Sequence, residues 1–304
     1  MKVVALSGGT GSAKLLRGLS RLKIDLTVVA NVGDNFWKYG VYVCPDIDIA
    51  TYTLAGVADP DKGWGIRRDS FNVLEQLTRL GEETWFRLGD KDLATCLWRT
   101  ELLQKGASLT RATLLICDSY GVKEKVLPAC DDHVETRIIT AKGDIHLQEY
   151  WVKERGRPVV TGVRYRGAIR ARLTKEVARA ISDADRIIVC PANPVTSIGP
   201  MLALPGFRTL LRGSGARIVA LSPMVGESPF SGPAGSLMKA VGESPSSRGV
   251  AKLYGGFLDS IVIPDSDAYM RPGIEGLGIR CVTTDTLIRG PEDEHRLAKE
   301  MLRA

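Results

Sequence analysis

The sequence contains little histidine and no closely paired cysteines, which narrows the chemistry it can carry. His133, His146 and His295 are its only histidines, and they are scattered along the chain. None of the six cysteines belongs to a C-x-x-C pair. A zinc site built on His and Cys, or a catalytic triad built on His, is therefore not expected. The cysteines are expected to be reduced and mostly buried, as in a cytoplasmic protein.

Long apolar runs and dense basic tracts are also missing. No stretch reaches the roughly 18 apolar residues of a membrane span, and the opening "MKVVALSGG" has too short an apolar run for a signal peptide. The net charge of +6 fits either a slightly basic surface or a basic pocket for a small anion. We therefore expect small-molecule substrates, with neither nucleic acid nor a membrane as a partner. The sequence leaves the oligomeric state open, and a homodimer is compatible with it.

What the chain does contain is an alternation of short apolar runs with helical patterns. The runs predict strands at Lys2–Leu6, Leu26–Asn31, Arg186–Cys190, Arg217–Leu221, Ser260–Ile263 and Arg280–Thr283. The helical patterns lie at Gly11–Leu22, Lys175–Ser182, Ser197–Leu211, Ala234–Ala240 and Glu292–Leu302. Short buried strands separated by helices are typical of a parallel sheet covered on both faces. The predicted fold class is α/β, with a Rossmann-like parallel core.

The middle of the chain departs from this alternation. From about residue 46 to about 120 the pattern is mainly helical, and from about 123 to about 171 it favours short antiparallel strands. We therefore predict a single Rossmann-like domain over residues 1–304, with a large helical and antiparallel insertion at about 46–171.

A glycine turn follows the first predicted strand. The segment "GGTGSAK", residues 8–14, opens a helix, where backbone N–H groups and the helix dipole favour an anion. The segment is not a Walker loop, because Ala13 and Leu15 flank Lys14 where glycine and a hydroxyl residue are needed. Nor is it a dinucleotide fingerprint, because Lys14 stands at the third glycine. It predicts a phosphate turn of another type, although a tight turn without ligand has the same pattern.

Acidic residues recur at predicted helix starts. Asp46 and Asp48 form one D-x-D pair and Asp90 and Asp92 another, while Asp34 follows the second strand. Aspartate is a favoured helix cap, which accounts for each pair taken alone. Residues i and i+2 point to different sides of a helix, so one aspartate can cap while the other faces a cleft. Carboxylates near a phosphate turn favour a Mg²⁺ site, and a carboxylate near a hydroxyl favours proton transfer.

Two loops in the second half of the chain repeat the order of a strand, a loop and a helix. "CPANPVTSIGP" follows the strand at Arg186–Cys190, and "LSPMVGESPFSGPAG" follows the strand at Arg217–Leu221. Their small residues and helix starts would add N–H and hydroxyl groups to the same sheet edge. Four of the five tryptophans fall between Trp37 and Trp98, where they favour either a planar ligand or an aromatic core.

Together these segments resemble the 2-phospho-L-lactate transferase family, CofD. The resemblance rests on "SGGTGSAKLL", "PDIDIATYTLAG", "GWGIRRDSF", "LGDKDLAT", "PANPVTSIGP" and "SGPAGSLM", in order and at matching spacing. It implies transfer of 2-phospho-L-lactate from lactyl-2-diphospho-5′-guanosine to the deazaflavin alcohol Fo, with release of GMP, in coenzyme F-420 biosynthesis. It also implies a Mg²⁺ requirement, and a related reaction uses the enolpyruvyl donor. One departure is Ile66, where some relatives carry a histidine after G-W-G.

The resemblance also implies roles for individual residues. It implies Asp48 as an Fo-contacting residue that would orient or deprotonate the alcohol, and Arg87, with Lys91 as the alternative, as a second Fo contact. Trp64 would help cover the deazaflavin ring. The donor would be held by Gly8, Gly9, Thr10, Gly11, Ser12, Lys14, Asn193, Pro194, Ser197, Ile198 and Ser222. The Mg²⁺ ligands would come from Asp34, Asp46 and Asp48.

Two other function classes remain compatible with parts of the sequence. The YvcK-type gluconeogenesis factors, which are nucleotide-sugar-binding regulators, are similar at "SGGTG" and near the Asn-Pro loop. The P-D-x-D and G-D-x-D-x-A segments favour the transferase over that regulator. An NAD-dependent oxidoreductase shares the glycine turn, but the missing third glycine counts against it.

Overall fold

The computed structural model describes residues 1–229 and 232–304. Its centre is a seven-stranded sheet in which all neighbouring pairs are parallel. In spatial order its strands are β14 (Arg280–Thr284), β13 (Ser260–Pro264), β10 (Arg217–Leu221), β9 (Arg186–Val189), β1 (Lys2–Ser7), β2 (Asp25–Ala30) and β5 (Lys125–Pro128). The predicted α/β class with a Rossmann-like parallel core is confirmed.

The strand order creates a switch point between β1 and β9. On one side of β1 the chain progresses outward through β2 and β5, and on the other side through β9, β10, β13 and β14. In open parallel sheets, ligands bind outside the carboxyl ends of the strands at such a point. The glycine turn follows β1 and the Asn193 loop follows β9, so two of the three predicted donor loops begin at the switch point.

Helices connect the strands and cover the sheet. They are α1 (Gly11–Ser20), α2 (Pro45–Leu54), α3 (Asn72–Arg79), α4 (Asp90–Gln104), α5 (Leu109–Ser119), α6 (Lys175–Ser182), α7 (Gly199–Leu202), α8 (Phe207–Gly213), α9 (Ala234–Ala240), α10 (Ser247–Leu253), α11 (Arg271–Glu275) and α12 (Pro291–Arg303). The predicted helix at Ser197–Leu211 is wrong as a single element, because it breaks into α7 and α8. Pro205 interrupts it, and Gly206 adopts a φ of +82° that ends a right-handed helix.

The remaining strands form three small antiparallel sheets. A hairpin joins β3 (Phe36–Lys38) to β4 (Val41–Val43), and a two-residue pair joins β11 (Met224–Val225) to β12 (Ser228–Pro229). The third sheet contains β6 (Glu135–Thr140), β7 (Gly143–His146) and β8 (Val160–Arg166). Short 3-10 or π turns lie at Glu149–Lys153, Ala168–Arg170 and Asp265–Met270.

One strand assigned to the antiparallel insertion belongs to the central sheet instead. Lys125–Pro128 pairs in parallel with β2, from Thr27 opposite Lys125 to Ala30 opposite Pro128. Its last three residues are buried, and a run without polar alternation suits a strand covered on both faces. The insertion therefore returns to the core before the antiparallel sheet begins. The division of the chain into a core and an insertion stays a prediction.

The core lies on both sides of the sheet. The inner residues of β1, β2, β9, β10 and β13 are almost fully buried, and α1 packs against α12 and α2. All six cysteines are free and buried, as the sequence predicted.

Candidate active site

The glycine turn is packed against the loop that follows β9. A Cβ atom on Gly8 would lie 2.5 Å from Ser197 Cβ, and one on Gly11 would lie 2.4 Å from the carbonyl oxygen of Pro191. Gly9 has a φ of +62°, a conformation that residues with a side chain rarely adopt. Each of these three positions thus disfavours a side chain for its own steric reason. Because all three are glycines, the turn and the Asn193 loop can meet at the switch point.

The turn's first two amides are occupied within the protein. Gly8 N–H donates to Ser12 Oγ at 3.1 Å, and the Ser12 hydroxyl donates back to the Gly8 carbonyl at 2.7 Å. Gly9 N–H donates to Asp46 Oδ1 at 2.7 Å. The N–H groups of Thr10 and Gly11 have no partner among the described residues, and they stand at the start of α1. An anion at this turn would therefore be met by Thr10 and Gly11.

Asp34 and Asp46 converge on one amide. The Nδ2 group of Asn31 donates to Asp34 Oδ1 at 2.9 Å and to Asp46 Oδ2 at 2.8 Å, and Gln148 Nε2 donates to Asp34 Oδ2 at 3.2 Å. Burial raises the pKa of Asp46 to about 6, and burial followed by the charge of Asp46 raises the pKa of Asp34 well above its usual value. No Lys or Arg in the described ranges forms an ion pair with either carboxylate. Two buried carboxylates that offer oxygen ligands, and that form no ion pair with a basic side chain, fit a hard divalent ion such as Mg²⁺.

Asp48 lies on another side of α2 and does not join this pair. Both of its oxygens are bound by the guanidinium of Arg99, with Nη1 at 3.1 Å from Oδ2 and Nη2 on Oδ1. The Arg99 side chain is fully buried and also contacts the carbonyl of Tyr42. Burial, the larger effect, raises the pKa of the Asp48 carboxyl, and the Arg99 guanidinium opposes that rise. The predicted metal set of three aspartates is therefore split, and the oxygen pair that suits a metal is Asp34 with Asp46.

Asp92 approaches Asp48 from α4. Ligand atoms of Asp48, Asp92 and Cys96 lie within 4.8 Å of one another. The Tyr52 hydroxyl donates to Asp92 Oδ1 at 2.8 Å. Burial, followed by the charge of Asp48, raises the pKa of Asp92 to about 7. This carboxylate changes its protonation state near neutral pH.

A loop carrying Trp64 connects the glycine turn to Asp92. A Cβ atom on Gly63 would lie 3.8 Å from Thr10 Cβ, and one on Gly65 would lie 3.9 Å from Asp92 Oδ2. Trp64, between them, is partly exposed and has the Lys62 ammonium 5.7 Å from its ring centre. The loop therefore contacts both the glycine turn and the α4 carboxylate.

A cleft, which we call the α4 cleft, opens at the first turn of α4. It has a volume of about 460 Å³ and is lined by Val57, Ile66, Arg67, Lys91, Ala94 and Tyr120. That size is within the range of small-molecule sites. Lys91, a predicted acceptor contact, is in its wall, and its ammonium donates to the Arg68 carbonyl at 3.0 Å. Arg87, the other predicted contact, is exposed and lies 4.4 Å over the Phe71 ring.

Several predicted donor contacts are already bonded within the protein. Ser197 and Ile198 donate their N–H groups to the Asn193 carbonyl at 3.0 and 3.1 Å, and the Asn193 side chain accepts from Val195 and Thr196. This turn starts at Asn193-Pro194 and shapes the loop, and the Ser197 hydroxyl lies beside Gly9.

Lys14 and Ser222 also differ from expectation. The Lys14 ammonium donates to the carbonyl of Ile288 at 2.9 Å, because the side chain extends along α1 toward the segment before α12. The Ser222 hydroxyl is fully buried and bonds Ser247 Oγ at 2.8 Å, so it holds its own loop rather than facing the crevice. Phe230 and Ser231 of the same loop lie outside the described residues.

The second D-x-D pair contains one capping residue, but it caps a neighbouring helix. Asp90 accepts N–H bonds from Asn72 and Val73 at the start of α3, both at 3.1 Å. Asp69 in turn accepts from Lys91 and Asp92 at the start of α4, at 2.9 and 3.1 Å. Asp90, the first residue of α4, thus caps α3, and Asp69, which precedes α3, caps α4. These bonds fix the backbone that presents Asp92.

Sequence reasoning missed Arg99 and left Asp92 out of the site. A signal was present, because Asp92, Cys96 and Arg99 are spaced at i, i+4 and i+7 and so share one face of α4. An acidic and a basic residue on one otherwise buried helix face indicate a partner across the interface, here Asp48. Gln148 and its bond to Asp34 had no comparable local signal.

The fold and the site define an α/β enzyme-like crevice at a switch point, with a glycine turn, a buried carboxylate pair and a cleft at α4. The family described as "2-phospho-L-lactate transferase CofD" matches residues 3–279. Proteins named 2-phospho-L-lactate transferase are similar over almost the full length: one from Methanosarcina mazei is 40% identical, covering 99% of this chain and 100% of its own. One from Methanopyrus kandleri is 42% identical, covering 100% and 97%.

Two further comparisons bear on specificity and fold. A protein from Mycobacterium avium named phosphoenolpyruvate transferase is 36% identical, and the match covers 93% of each chain. A crystal structure of a UPF0052 family member from Bacillus halodurans superposes with a TM-score of 0.68 at 16% identity, covering 99% of this chain and 98% of that one. This second likeness shows the fold alone. The chain belongs to the CofD family of 2-phospho-L-lactate transferases, and the family resemblance predicted from the motifs is confirmed.

Among the described residues, no helix combines the length and apolar character needed to cross a membrane.

Proposed function

We propose that this protein transfers 2-phospho-L-lactate from lactyl-2-diphospho-5′-guanosine to the primary alcohol of the deazaflavin Fo, releasing GMP in coenzyme F-420 biosynthesis. The observation that carries the proposal is the meeting of the glycine turn, the Asn193 loop and the Asp34–Asp46 pair at the switch point of the sheet. It is supported by the relatives named 2-phospho-L-lactate transferase.

The donor side of the proposal rests on the glycine turn. The diphosphate would accept the N–H groups of Thr10 and Gly11, where the dipole of α1 favours negative charge. The Ser197 hydroxyl lies next to Gly9 and would add a donor from the β9 side. Lys14 is exposed and long enough to leave the Ile288 carbonyl for a phosphate oxygen.

The metal side of the proposal rests on Asp34 and Asp46. These residues would hold Mg²⁺, and the bound ion would neutralise charge on the phosphate oxygens of the donor. Asn31 orients both carboxylates through one amide and is itself held by the Thr196 carbonyl at 3.1 Å. The β2 end and the β9 loop thereby share one oriented polar group.

The acceptor side rests on the α4 cleft. Lys91 and Ile66 line it, and Trp64, which follows Gly63 beside Thr10, would cover the deazaflavin ring. Asp48 would orient the alcohol next to the donor. With both substrates held in line, positioning and charge stabilisation would supply most of the rate.

The direct test is product formation by the purified protein. With the guanylyl donor, Fo and Mg²⁺, we expect GMP and phospholactyl-Fo in equal amounts, and loss of both when EDTA is present. A parallel reaction with the enolpyruvyl donor decides which three-carbon acid is preferred, because the relatives carry both names. Absence of GMP and product with either donor would refute the proposal. In that case, thermal stabilisation by a UDP-sugar would point to the nucleotide-sugar regulator instead.

A further inference from the structure

The neighbouring carboxylates Asp48 and Asp92, whose ligand atoms lie within 4.8 Å of each other, have different hydrogen-bonding states. Asp48 has both oxygens bound to the guanidinium of Arg99. Arginine remains protonated in proteins, and Arg99 is fully buried, so this pair must keep its charges matched. A proton placed on Asp48 would leave a buried cation without its anion. Asp48 is therefore suited to accept a hydrogen bond but not to accept a proton.

Asp92 has the complementary arrangement. Its Oδ1 accepts the Tyr52 hydroxyl, while its Oδ2 has no partner among the described residues, although the side chain is more than nine-tenths buried. The unpartnered Oδ2 faces Gly65, and the next residue along the loop, Ile66, lines the α4 cleft. The neighbouring Lys91 lines the same cleft. Ile66 and Lys91, the chain neighbours of Gly65 and Asp92, thus both line the cleft.

One loop contacts both the glycine turn and this oxygen. Gly63 is beside Thr10, and Gly65 is beside Asp92 Oδ2. Two residue steps of chain span at most about 7 Å. Thr10 and Asp92 Oδ2 therefore contact the same short loop, at two positions that are two residues apart.

We propose that Asp92 is a further catalytic residue, whose Oδ2 takes the proton of the attacking acceptor hydroxyl while Arg99 holds Asp48 as the anion that orients it. This inference rests on the proposed function. The O–H bond of the acceptor breaks and its proton goes to Asp92. The acceptor oxygen forms the new bond to phosphorus, and the bond from phosphorus to GMP breaks with its electron pair going to GMP. Asp92 then returns the proton to solvent.

The surroundings of Asp92 suit this role. The groups that face it from α2, α4, α5 and the loop before α3 are Asp48, Tyr52, Cys96, Arg99, Tyr120 and Asp69. Burial and the Asp48 charge raise the pKa of Asp92, and the Tyr52 hydroxyl and Arg99 lower it, leaving it at about 7. A base with a pKa near the working pH is the most effective.

The test measures single-turnover transfer with saturating substrates and Mg²⁺ between pH 5.5 and 9. The wild-type rate is expected to rise with pH through a limb near 7. Asp92→Asn is expected to lose roughly 10²-fold or more in rate and to lose that limb, with the KM for the acceptor changed little. Asp118→Asn, which removes an exposed carboxylate on α5, is the matched control and should keep both rate and limb.

A second variant decides the matter if Asp92→Asn does not fold. Tyr52→Phe removes the hydrogen bond that favours the charged form of Asp92, so the limb should move to higher pH by about one unit. An Asp92→Asn enzyme within threefold of wild type, or a limb unmoved in Tyr52→Phe, overturns the inference while the proposed function stands. A wild-type enzyme that forms no product overturns the proposed function, and this inference with it.

Discussion

At the scale of single residues, the buried ion pair between Arg99 and Asp48 is the strongest charge interaction near the site. Arg99 is fully buried, and among the described residues Asp48 is its one acidic ion-pair partner. Removing one member of a buried pair leaves an uncompensated charge and typically costs about 3–5 kcal/mol. Arg99→Met should therefore lower the free energy of unfolding by about that amount, measured by urea denaturation at pH 7.5.

The double variant Asp48→Asn/Arg99→Met supplies the control for this expectation. With both charges removed, it should be more stable than Arg99→Met alone, since no ion is left unpaired in the core. Single-variant losses that simply add in the double variant would show that the two side chains do not stabilise each other. Activity should be lost in both variants, because neither retains an oriented Asp48.

At the scale of elements, α3 and α4 depend on each other at their first turns. Asp69 caps α4, and Gly89, the residue just before α4, leaves space for it: a Cβ atom there would lie 2.2 Å from Asp69 Oδ2. Gly89 has an ordinary φ of −73°, so alanine meets only this steric conflict. Gly89→Ala should displace the cap and lower the unfolding free energy by about 1 kcal/mol, measured by urea denaturation.

The comparison with Asp69→Ala separates loss of the cap from other effects of the methyl group. Both changes remove the same two hydrogen bonds, so the double variant should be hardly less stable than either single variant. Full additivity would mean that Gly89→Ala acts elsewhere. Asp118→Ala serves as the reference for loss of an exposed aspartate.

The elements also show what local sequence can and cannot predict. The strands of the central sheet and the helix at Gly11–Ser20 were predictable, because each has its own apolar period or glycine turn. The partner of Lys125–Pro128 was not, because a short apolar run pairs equally well in parallel or antiparallel until the whole sheet is known. Asp46 was predicted from its position at a helix start, and Asp34 from its position after a strand. The split between Asp46 and Asp48 depended on Arg99, which lies 51 residues from Asp48 along the chain.

At the scale of the whole molecule, a buried histidine links the three-stranded antiparallel sheet to the β3–β4 hairpin. His146, on β7, stacks on Phe36 with ring centres 5.1 Å apart, and its Nδ1 accepts the N–H of Gln148 at 3.1 Å. Gln148 in turn donates to Asp34. The neutral form of this imidazole thus supports the contact between β7, the β3–β4 hairpin and the candidate site.

Acid should therefore weaken the fold through His146. Burial lowers its pKa to about 4 from the ordinary 6.5, so the unfolded chain binds a proton that the folded protein does not. The stabilisation that depends on neutral His146 is complete above pH 6.5 and is lost as the pH falls toward 4, a loss of roughly 3 kcal/mol over the whole interval.

Asp46 and Asp92 have the opposite effect on the pH dependence of stability. Their raised pKa values of about 6 and 7 favour the fold in acid. Because both enzymes retain those carboxylates, the difference between wild type and His146→Gln isolates the histidine. Urea unfolding at pH 7.5 and 4.5 should show a smaller loss of stability in the variant, and equal losses would mean that His146 is protonated in the native protein at pH 4.5.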